Sequence, residues 1–146
     1  MSDNAMSDNE QSHEGGCLCG AVRYLCRDKP NWVAHCHCQS CRRACGAVIV
    51  TWAGFPAENY TIIRGSPRSH ESSKGVRRCF CPDCGTPLTY ESERFPGEVH
   101  ITVGSLDRPE NMPPQGHVFT EEQIPWLHIA DELPRHAKTG GDGEGE

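Results

Sequence analysis

The sequence predicts a small, mainly β domain of short antiparallel strands with little helix. Three observations support this fold class. Apolar and polar residues alternate over short stretches, as they do on half-buried strands. Fifteen glycines and eleven prolines among the 146 residues separate these stretches. Ten cysteines are present, and only 36% of the chain is hydrophobic. A modest core of this kind usually needs cross-links through disulfides or metal.

Strands are predicted where β-branched and aromatic residues lie between turn residues. The clearest alternation is that of Val99, Ile101 and Val103 with His100 and Thr102, which puts one apolar face against a core. The predicted strands span residues 21–26, 47–53, 60–64, 76–80, 88–90 and 99–106, with a further short strand at 117–119.

Helix is predicted in one place only. Residues 39–44 favour a single helical turn that ends at Gly46, because glycine readily adopts the left-handed conformation that ends helices. Residues 111–116 contain two prolines and are predicted to form a loop.

The two ends of the chain differ in composition from the middle. Residues 1–14 are polar and acidic and are predicted to be a disordered leader. Within it, MSDNA at 1–5 nearly repeats as MSDNE, which we interpret as a cloning leader before a native start at Met6. Residues 137–146 are glycine-rich and acidic, and we expect a disordered tail. A single domain is predicted for residues 15–136.

Charge and hydropathy exclude two classes of protein. The net charge is −6, and the acidic ends account for all of it, so the neutral body lacks the basic excess of a nucleic-acid-binding domain. No apolar run approaches the roughly 20 residues that a membrane-spanning helix needs. The start of the chain lacks the apolar segment of a secretory signal. We therefore expect a cytoplasmic protein whose clustered cysteines bind metal rather than form disulfides.

Two cysteine pairs have the spacing of a structural zinc site. Cys81 and Cys84 form a CxxC turn through proline and glycine, and Cys17 and Cys19 form a CxC flanked by glycines. Zinc prefers four tetrahedral ligands, and each pair supplies two thiolates from one tight turn. A zinc ion shared by the pairs would join an early strand to a late hairpin.

The middle cluster offers three thiolates within six residues, at Cys36, Cys38 and Cys41. A zinc ion with three protein ligands keeps a position open for water or substrate, so this cluster is the candidate catalytic centre. Cys45 follows Cys41 by about one helical turn, and it could instead close the site into an inert four-cysteine cage. The spacing leaves both possibilities open.

The remaining polar candidates carry weaker signals. His37 lies between two cysteines on extended backbone, which directs it away from the metal and favours a supporting or surface role. Cys26 and Cys79 lie on predicted strands and are interpreted as small buried residues. Candidate arginines for binding substrate carboxylates are Arg42, Arg43, Arg64 and Arg68.

Three motifs occur in a recognisable order. They read GGCLCGAVRY at 15–24, CHCQSC at 36–41 and FCPDCGTPL at 80–88. With Trp126 and the DELP at 131–134 they make the sequence similar to the glutathione-dependent formaldehyde-activating enzyme family. The resemblance covers residues 15–134.

This resemblance implies a β-tent fold with two zinc ions per chain. The structural ion would be held by ligands similar to Cys17, Cys19, Cys81 and Cys84, and the catalytic ion by ligands similar to Cys36, Cys38 and Cys41. The implied reaction joins formaldehyde to glutathione as S-hydroxymethylglutathione, so the implied enzyme is a carbon–sulfur lyase or synthase. Its partners would be a small thiol, such as glutathione, and an aldehyde.

Two other hypotheses remain open, and the ten cysteines motivate the second of them. Relatives of this domain occur in chromosome-associated proteins, which suggests a non-catalytic, zinc-stabilised module that binds other proteins. The acidic ends of this chain lack the basic extension expected of such a module. A thiol-rich metal or redox buffer would bind more than two metal ions and keep Cys26, Cys45 and Cys79 reactive.

Overall fold

The computed structural model describes residues 11–139. This part of the chain contains ten strands, one short α-helix and several single 3₁₀ turns. The helix α1 spans Gln39–Cys45. The strands are β1 (Ser12–Gly16), β2 (Arg23–Arg27), β3 (Trp32–Cys36), β4 (Val50–Pro56), β5 (Tyr60–Arg64), β6 (Arg68–Ser73), β7 (Val76–Phe80), β8 (Pro87–Ser92), β9 (Glu98–Thr102) and β10 (His117–Val118).

The strands form two sheets. The small sheet has the order β1-β2-β5, and the large one has the order β10-β3-β4-β9-β8-β7-β6. Neighbouring strands are antiparallel, except that β10 runs parallel to β3. The predicted fold class, mainly β with little helix, is confirmed. No helix in residues 11–139 has the length and apolar character needed to cross a membrane.

The hydrophobic core lies between the two sheets. Tyr24 of the small sheet is fully buried in one cluster with Phe55, Leu88 and Ile101 of the large sheet. Burying a large apolar side chain contributes about 1.5–3 kcal/mol relative to leaving it exposed. The Tyr24 hydroxyl lies 2.6 Å from the Ser105 hydroxyl, so its polar end is satisfied inside the core.

The other face of the large sheet carries polar and aromatic residues. Along one row, His70, Arg78, Tyr90 and His100 lie opposite one another on four adjacent strands. Because side chains alternate between the faces of a strand, these four share the face that points away from the core. Trp52 also lies on this face, and its ring is 5.9 Å from that of Tyr90.

Most predicted elements are present, with shifted ends. Strands β2, β4, β5, β7, β8, β9 and β10 and helix α1 correspond to predictions. The strand predicted at 99–106 ends at Thr102, because the chain turns into a 3₁₀ turn at Val103–Ser105. The strand predicted at 21–26 begins only at Arg23.

Three strands were missed. The prediction for the leader is wrong for residues 12–14, which belong to β1 and pair with β2; residues 1–10 lie outside the described part of the chain. Strand β6 is polar and exposed throughout and has no alternation to detect. Strand β3 has only five residues and is buried on both faces around Val33 and Ala34.

The predicted disordered tail is also partly wrong. The backbone N–H of Phe119 donates to the carbonyl of Lys138, so ordered contacts extend beyond residue 136. Residues 140–146 lie outside the described part of the chain.

Candidate functional site

Four predicted ligands come together where the two sheets meet. Cys17 and Cys19 lie in the turn between β1 and β2, and Cys81 and Cys84 lie in the turn between β7 and β8. Their sulfur atoms all lie within 4.8 Å of one another. The Cys19 and Cys81 sulfurs are 3.8 Å apart although 62 residues separate them in the chain. We call this group the four-cysteine cluster.

The backbone of both turns supports charged sulfur. The N–H of Val22 donates to the Cys17 sulfur at 3.2 Å, and the N–H groups of Asp83 and Cys84 donate to the Cys81 sulfur at 3.3 and 3.4 Å. Backbone N–H groups that donate to sulfur stabilise its charged form, and a thiolate is the form that binds metal. The donor set and its hydrogen bonds therefore fit a closed metal site.

Two glycines allow these turns to close. Gly20 and Gly85 have φ values of 83° and 84°, in the left-handed region that glycine occupies without strain. The Gly85 N–H donates to the Cys81 carbonyl at 2.8 Å. The hydroxyl of Thr86 and nearby backbone groups lower the pKa of Cys84 to about 5.

Three further predicted ligands come together at the start of α1. Cys36 is the last residue of β3, Cys38 caps the helix and Cys41 lies in its first turn. The Cys36 and Cys41 sulfurs are 3.7 Å apart, and the three sulfurs lie within 4.8 Å of one another. The Cys41 N–H donates to the Cys38 sulfur at 3.3 Å. We call this group the three-cysteine cluster.

Cys41 is the most acidic thiol of the three-cysteine cluster. Hydrogen bonds from Cys36 and Cys38, with the positive charge of Arg78, lower the pKa of Cys41 to about 3. Hydrogen bonds with Cys38 and Cys41, together with burial, raise the pKa of Cys36. A divalent cation bound here would displace the thiol protons, because the thiolate is the form that ligates metal.

Cys45 is not part of this group. Its sulfur is not among the donor atoms that lie within 4.8 Å of one another in the three-cysteine cluster. Burial is the main cause that raises the pKa of Cys45 to about 11. The structure thus assembles three sulfurs at this point, and the possibility of a four-cysteine cage that includes Cys45 is not favoured by its geometry.

The three-cysteine cluster opens into a large cleft. The cleft has a volume of about 1680 Å³, more than the ~300–1,000 Å³ of typical small-molecule sites. Its floor is the polar face of the large sheet, including Trp52, Tyr90 and His100, and its walls include all three clustered cysteines. None of the residues of the four-cysteine cluster is among those lining it. One cluster is therefore accessible to a ligand in the cleft, and the other lies outside it.

An arginine that sequence reasoning missed lies beside the three-cysteine cluster. The Arg78 Nη2 atom is 3.9 Å from the Cys41 sulfur, and the guanidinium lies 4.9 Å from the centre of the Tyr90 ring. Two arginines are adjacent in the sequence here, and only the register of β7 in the sheet shows which one lies beside the cluster. The other, Arg77, is exposed and pairs with Glu91.

The four arginines predicted to bind carboxylates divide into two groups. Arg43 and Arg68 line the cleft. The other two do not, because Arg42 donates to the His37 carbonyl and Arg64 donates to the Gly20 carbonyl. Two of the four are therefore placed to meet a ligand in the cleft.

His37 belongs to a buried hydrogen-bonded chain rather than to the metal-donor group. Its Nε2 atom lies 2.9 Å from Nδ1 of His117, and His117 Nε2 lies 3.0 Å from Asp131 Oδ2. Of the two roles expected for His37, the surface one is wrong, since His37 is fully buried, and the supporting one agrees with its place outside the metal-donor groups. His35, His117 and Asp131 also place their donor atoms within 4.8 Å of one another, but the Asp131 carboxylate is held by Arg135 as well.

Replacing Asp131 with alanine is expected to lower the melting temperature at neutral pH, because buried His117 loses its acceptor. The His117 hydrogen bond is the main cause that lowers the pKa of Asp131 to about 2. A carboxyl group with a lowered folded-state pKa stabilises the fold above its ordinary pKa of about 4, and this contribution is lost as the pH falls towards 2.

The measurement is the difference in melting temperature between the two zinc-loaded proteins by circular dichroism, from pH 8 down to about pH 5.5, the range in which cysteine thiolates still hold zinc. The difference should be constant over this range, because the lowered pKa keeps the Asp131 carboxyl charged throughout it. Glu132→Ala, an exposed neighbour, is the control and should show little difference at any pH. No difference for Asp131→Ala, or a difference that shrinks within this pH range, contradicts the expectation.

Comparison with known proteins agrees with the motifs. A family model described as "Glutathione-dependent formaldehyde-activating enzyme" matches residues 12–122, which is more than half of the chain. A Halomonas elongata protein, provisionally named as a glutathione-dependent formaldehyde-activating enzyme, is 28% identical over 126 residues, covering 80% of each chain. An uncharacterized lyase of Schizosaccharomyces pombe is 28% identical over 82 residues, covering 53% of this chain and 56% of that protein.

A solved structure shares the fold. The crystal structure of a Rhodobacter sphaeroides protein matches with a TM-score of 0.54 at 20% identity, covering 84% of this chain and 98% of the other. The family model covers both cysteine clusters, and the resemblance inferred from the three motifs is confirmed. The chain belongs to the glutathione-dependent formaldehyde-activating enzyme family.

Proposed function

We propose that the protein is a zinc-dependent carbon–sulfur lyase or synthase that forms or cleaves an adduct between a thiol and an aldehyde, such as S-hydroxymethylglutathione. One observation carries the proposal: three cysteine sulfurs converge in the wall of a cleft, with no fourth cysteine sulfur among the described residues in the same group. Family membership and the name of the lyase relative support the same class of enzyme.

Each cysteine cluster would hold one zinc ion, giving two per chain. The four-cysteine cluster supplies the complete sulfur set of a structural site. The three-cysteine cluster supplies three donors and faces the cleft, which is the pattern of a catalytic site. Zinc bound there would hold a substrate thiol as a thiolate and so make it nucleophilic at neutral pH.

The surrounding residues bind and orient the two substrates. In the reaction, the thiolate sulfur forms a bond to the aldehyde carbon, the π electron pair moves to the oxygen, and that oxygen takes a proton from solvent. The nearly buried Trp52 ring and the Tyr90 ring cover the floor beside the sulfurs, which limits the access of water to the reacting atoms. Arg43 and Arg68 are available for the carboxylates of a peptide thiol such as glutathione.

The proposed location is the cytoplasm. None of the ten cysteines is paired in a disulfide, and clustered cysteines that bind metal instead of forming disulfides are typical of a reducing compartment. Glutathione-dependent chemistry needs the same conditions, because the nucleophile is the reduced thiol.

The experiment that tests this function combines metal counting with an exchange assay. Native mass spectrometry before and after brief exposure to a mild chelator should show two zinc ions falling to one in a folded chain. Two-dimensional exchange NMR of ¹³C-formaldehyde with glutathione should show that the two-zinc protein speeds the interconversion of adduct and free aldehyde. This acceleration should be lost when the chelator removes the second zinc.

Two results would contradict the proposal. The activity is ruled out if the two-zinc protein does not accelerate adduct exchange, either with glutathione or with simple thiols such as 2-mercaptoethanol. Two zinc ions that both resist the chelator would indicate a closed second site, and would favour the non-catalytic protein-binding module.

A further inference from the structure

One donor in the cleft has no acceptor among residues 11–139. The Arg78 Nη1 atom is buried and makes no hydrogen bond, although Nη2 of the same guanidinium contacts the Cys41 sulfur. Buried polar groups are normally hydrogen-bonded, and an unpaired charged donor is especially unfavourable. The Trp52 indole nitrogen, on the same face of the sheet, is also buried without a partner. This side of the cleft is therefore suited to a ligand that brings oxygen acceptors.

The charges around the cleft favour a negatively charged acceptor. Four arginines line it, whereas the lining carboxylates are those of Glu98 and Glu122. Glu98 is occupied by His100 and Asn31, and Glu122 accepts from the Gln39 backbone. Arginines therefore outnumber carboxylates in the lining of the cleft, in a chain whose net charge is −6.

The geometry of the guanidinium places this acceptor next to the sulfurs. Its two terminal nitrogens belong to one rigid planar group, and one of them already touches the three-cysteine cluster. An oxygen bound by the other nitrogen is therefore close to any thiol held at that cluster. The oxygen of a thiol–aldehyde adduct is separated from its sulfur by a single carbon, whereas the carboxylates of a peptide thiol are several bonds further away.

We propose that Arg78 is a catalytic residue that binds the aldehyde-derived oxygen of the substrate through Nη1, an assignment that rests on the proposed function. As the carbon–sulfur bond forms, the carbonyl π pair moves to this oxygen and leaves it negatively charged until it takes a proton from solvent. Arg78 donates a hydrogen bond to that charge and keeps its own proton. In the reverse direction it holds the same oxygen while the carbon–sulfur bond breaks.

A simpler role would be to neutralise the thiolates of the cluster. That role requires only positive charge near Cys41, which lysine would also supply. Oxygen binding requires the second nitrogen of the fork, which lysine lacks. Arg78→Lys therefore separates the two roles, because it keeps the charge and removes the fork.

The test compares two probe thiols. Thioacetate has sulfur and oxygen on one carbon, as the adduct does, and ethanethiol has no oxygen. The dissociation constants of both are measured by calorimetry on zinc-loaded wild-type protein and on Arg78→Lys. The preference for thioacetate over ethanethiol should fall about tenfold or more in the variant, as expected for the loss of a hydrogen bond between charged groups.

Arg77→Lys is the matched control. Arg77 is the neighbouring residue of β7, it is exposed, and it pairs with Glu91 outside the cleft. Its substitution should leave the ratio of the two dissociation constants unchanged. Zinc content and melting temperature, measured on all three proteins, verify that each is folded and loaded.

The outcomes distinguish this assignment from the proposed function. Three results would overturn the role of Arg78. The ratio of the two dissociation constants could be unchanged in Arg78→Lys, both probes could lose affinity equally, or wild-type protein could bind neither probe. If the ratio falls in Arg78→Lys but wild-type protein does not accelerate adduct exchange, Arg78 binds oxygen and the proposed activity is wrong. If wild-type protein accelerates adduct exchange and Arg78→Lys slows it about 100-fold or more, as loss of one oxyanion donor typically does, the proposed activity and the role of Arg78 are both supported.

Discussion

Serine in place of Cys81 is expected to leave the chain without a stable fold. Cys81 is fully buried, and its sulfur belongs to the cluster that joins the β1–β2 turn of the small sheet to the β7–β8 turn of the large one. Structural zinc contributes an apparent ~10–16 kcal/mol of binding free energy, whereas the net stability of a domain is only about 5–15 kcal/mol. Losing one ligand of this site should therefore remove most of the stability.

Circular dichroism and size-exclusion chromatography would measure this effect. Cys79→Ser is the matched control, because Cys79 lies on β7 two residues earlier, is only half-buried, and belongs to neither cluster. The control should fold and bind two zinc ions. A Cys81→Ser protein that melts cooperatively at the wild-type temperature would show that the four-cysteine cluster does not hold the sheets together.

Serine in place of Cys38 should have the opposite result, a folded protein with no activity. Cys38 caps a short helix at the edge of the cleft, and its sulfur does not connect the two sheets. Removing it leaves two sulfurs, too few for the three protein ligands of a catalytic zinc site. Adduct exchange should fall to the uncatalysed rate, while one zinc ion and a melting temperature near that of wild type remain.

Cys45→Ser is the control for this variant. Cys45 lies at the other end of the same helix and outside the three-cysteine cluster, so its loss should leave zinc content and exchange unchanged. Loss of the second zinc from Cys45→Ser would show that Cys45 is a ligand after all. Equal melting temperatures for Cys38→Ser and Cys81→Ser would contradict the division into a catalytic and a structural site.

Spacing in the sequence was enough to find both cysteine clusters, because each turn carries its ligands within a few residues. The pairing of Cys17 and Cys19 with Cys81 and Cys84 followed from zinc's need for four ligands, and the structure brings those sulfurs together. Long-range placement was harder to predict. Arg78 and Arg77 look alike in the sequence, and only the pairing of β7 with β8 shows that Arg78 lies beside Tyr90.

Two of the three missed strands, β1 and β6, have a common physical cause. Strands β1 and β6 form at sheet edges through backbone hydrogen bonds to β2 and β7, and such pairing requires no apolar pattern. The histidine–aspartate chain was missed because its members, at 37, 117 and 131, meet only after β10 adds to β3 in parallel.

Strand β6 has a consequence for how this enzyme can evolve. All six of its residues are exposed, yet five of them, from Arg68 to Ser73, line the cleft. Exposed substitutions usually change stability by less than about 0.5 kcal/mol. Mutations on β6 can therefore change the lining of the cleft at almost no cost in folding, while the cysteine clusters remain unchanged.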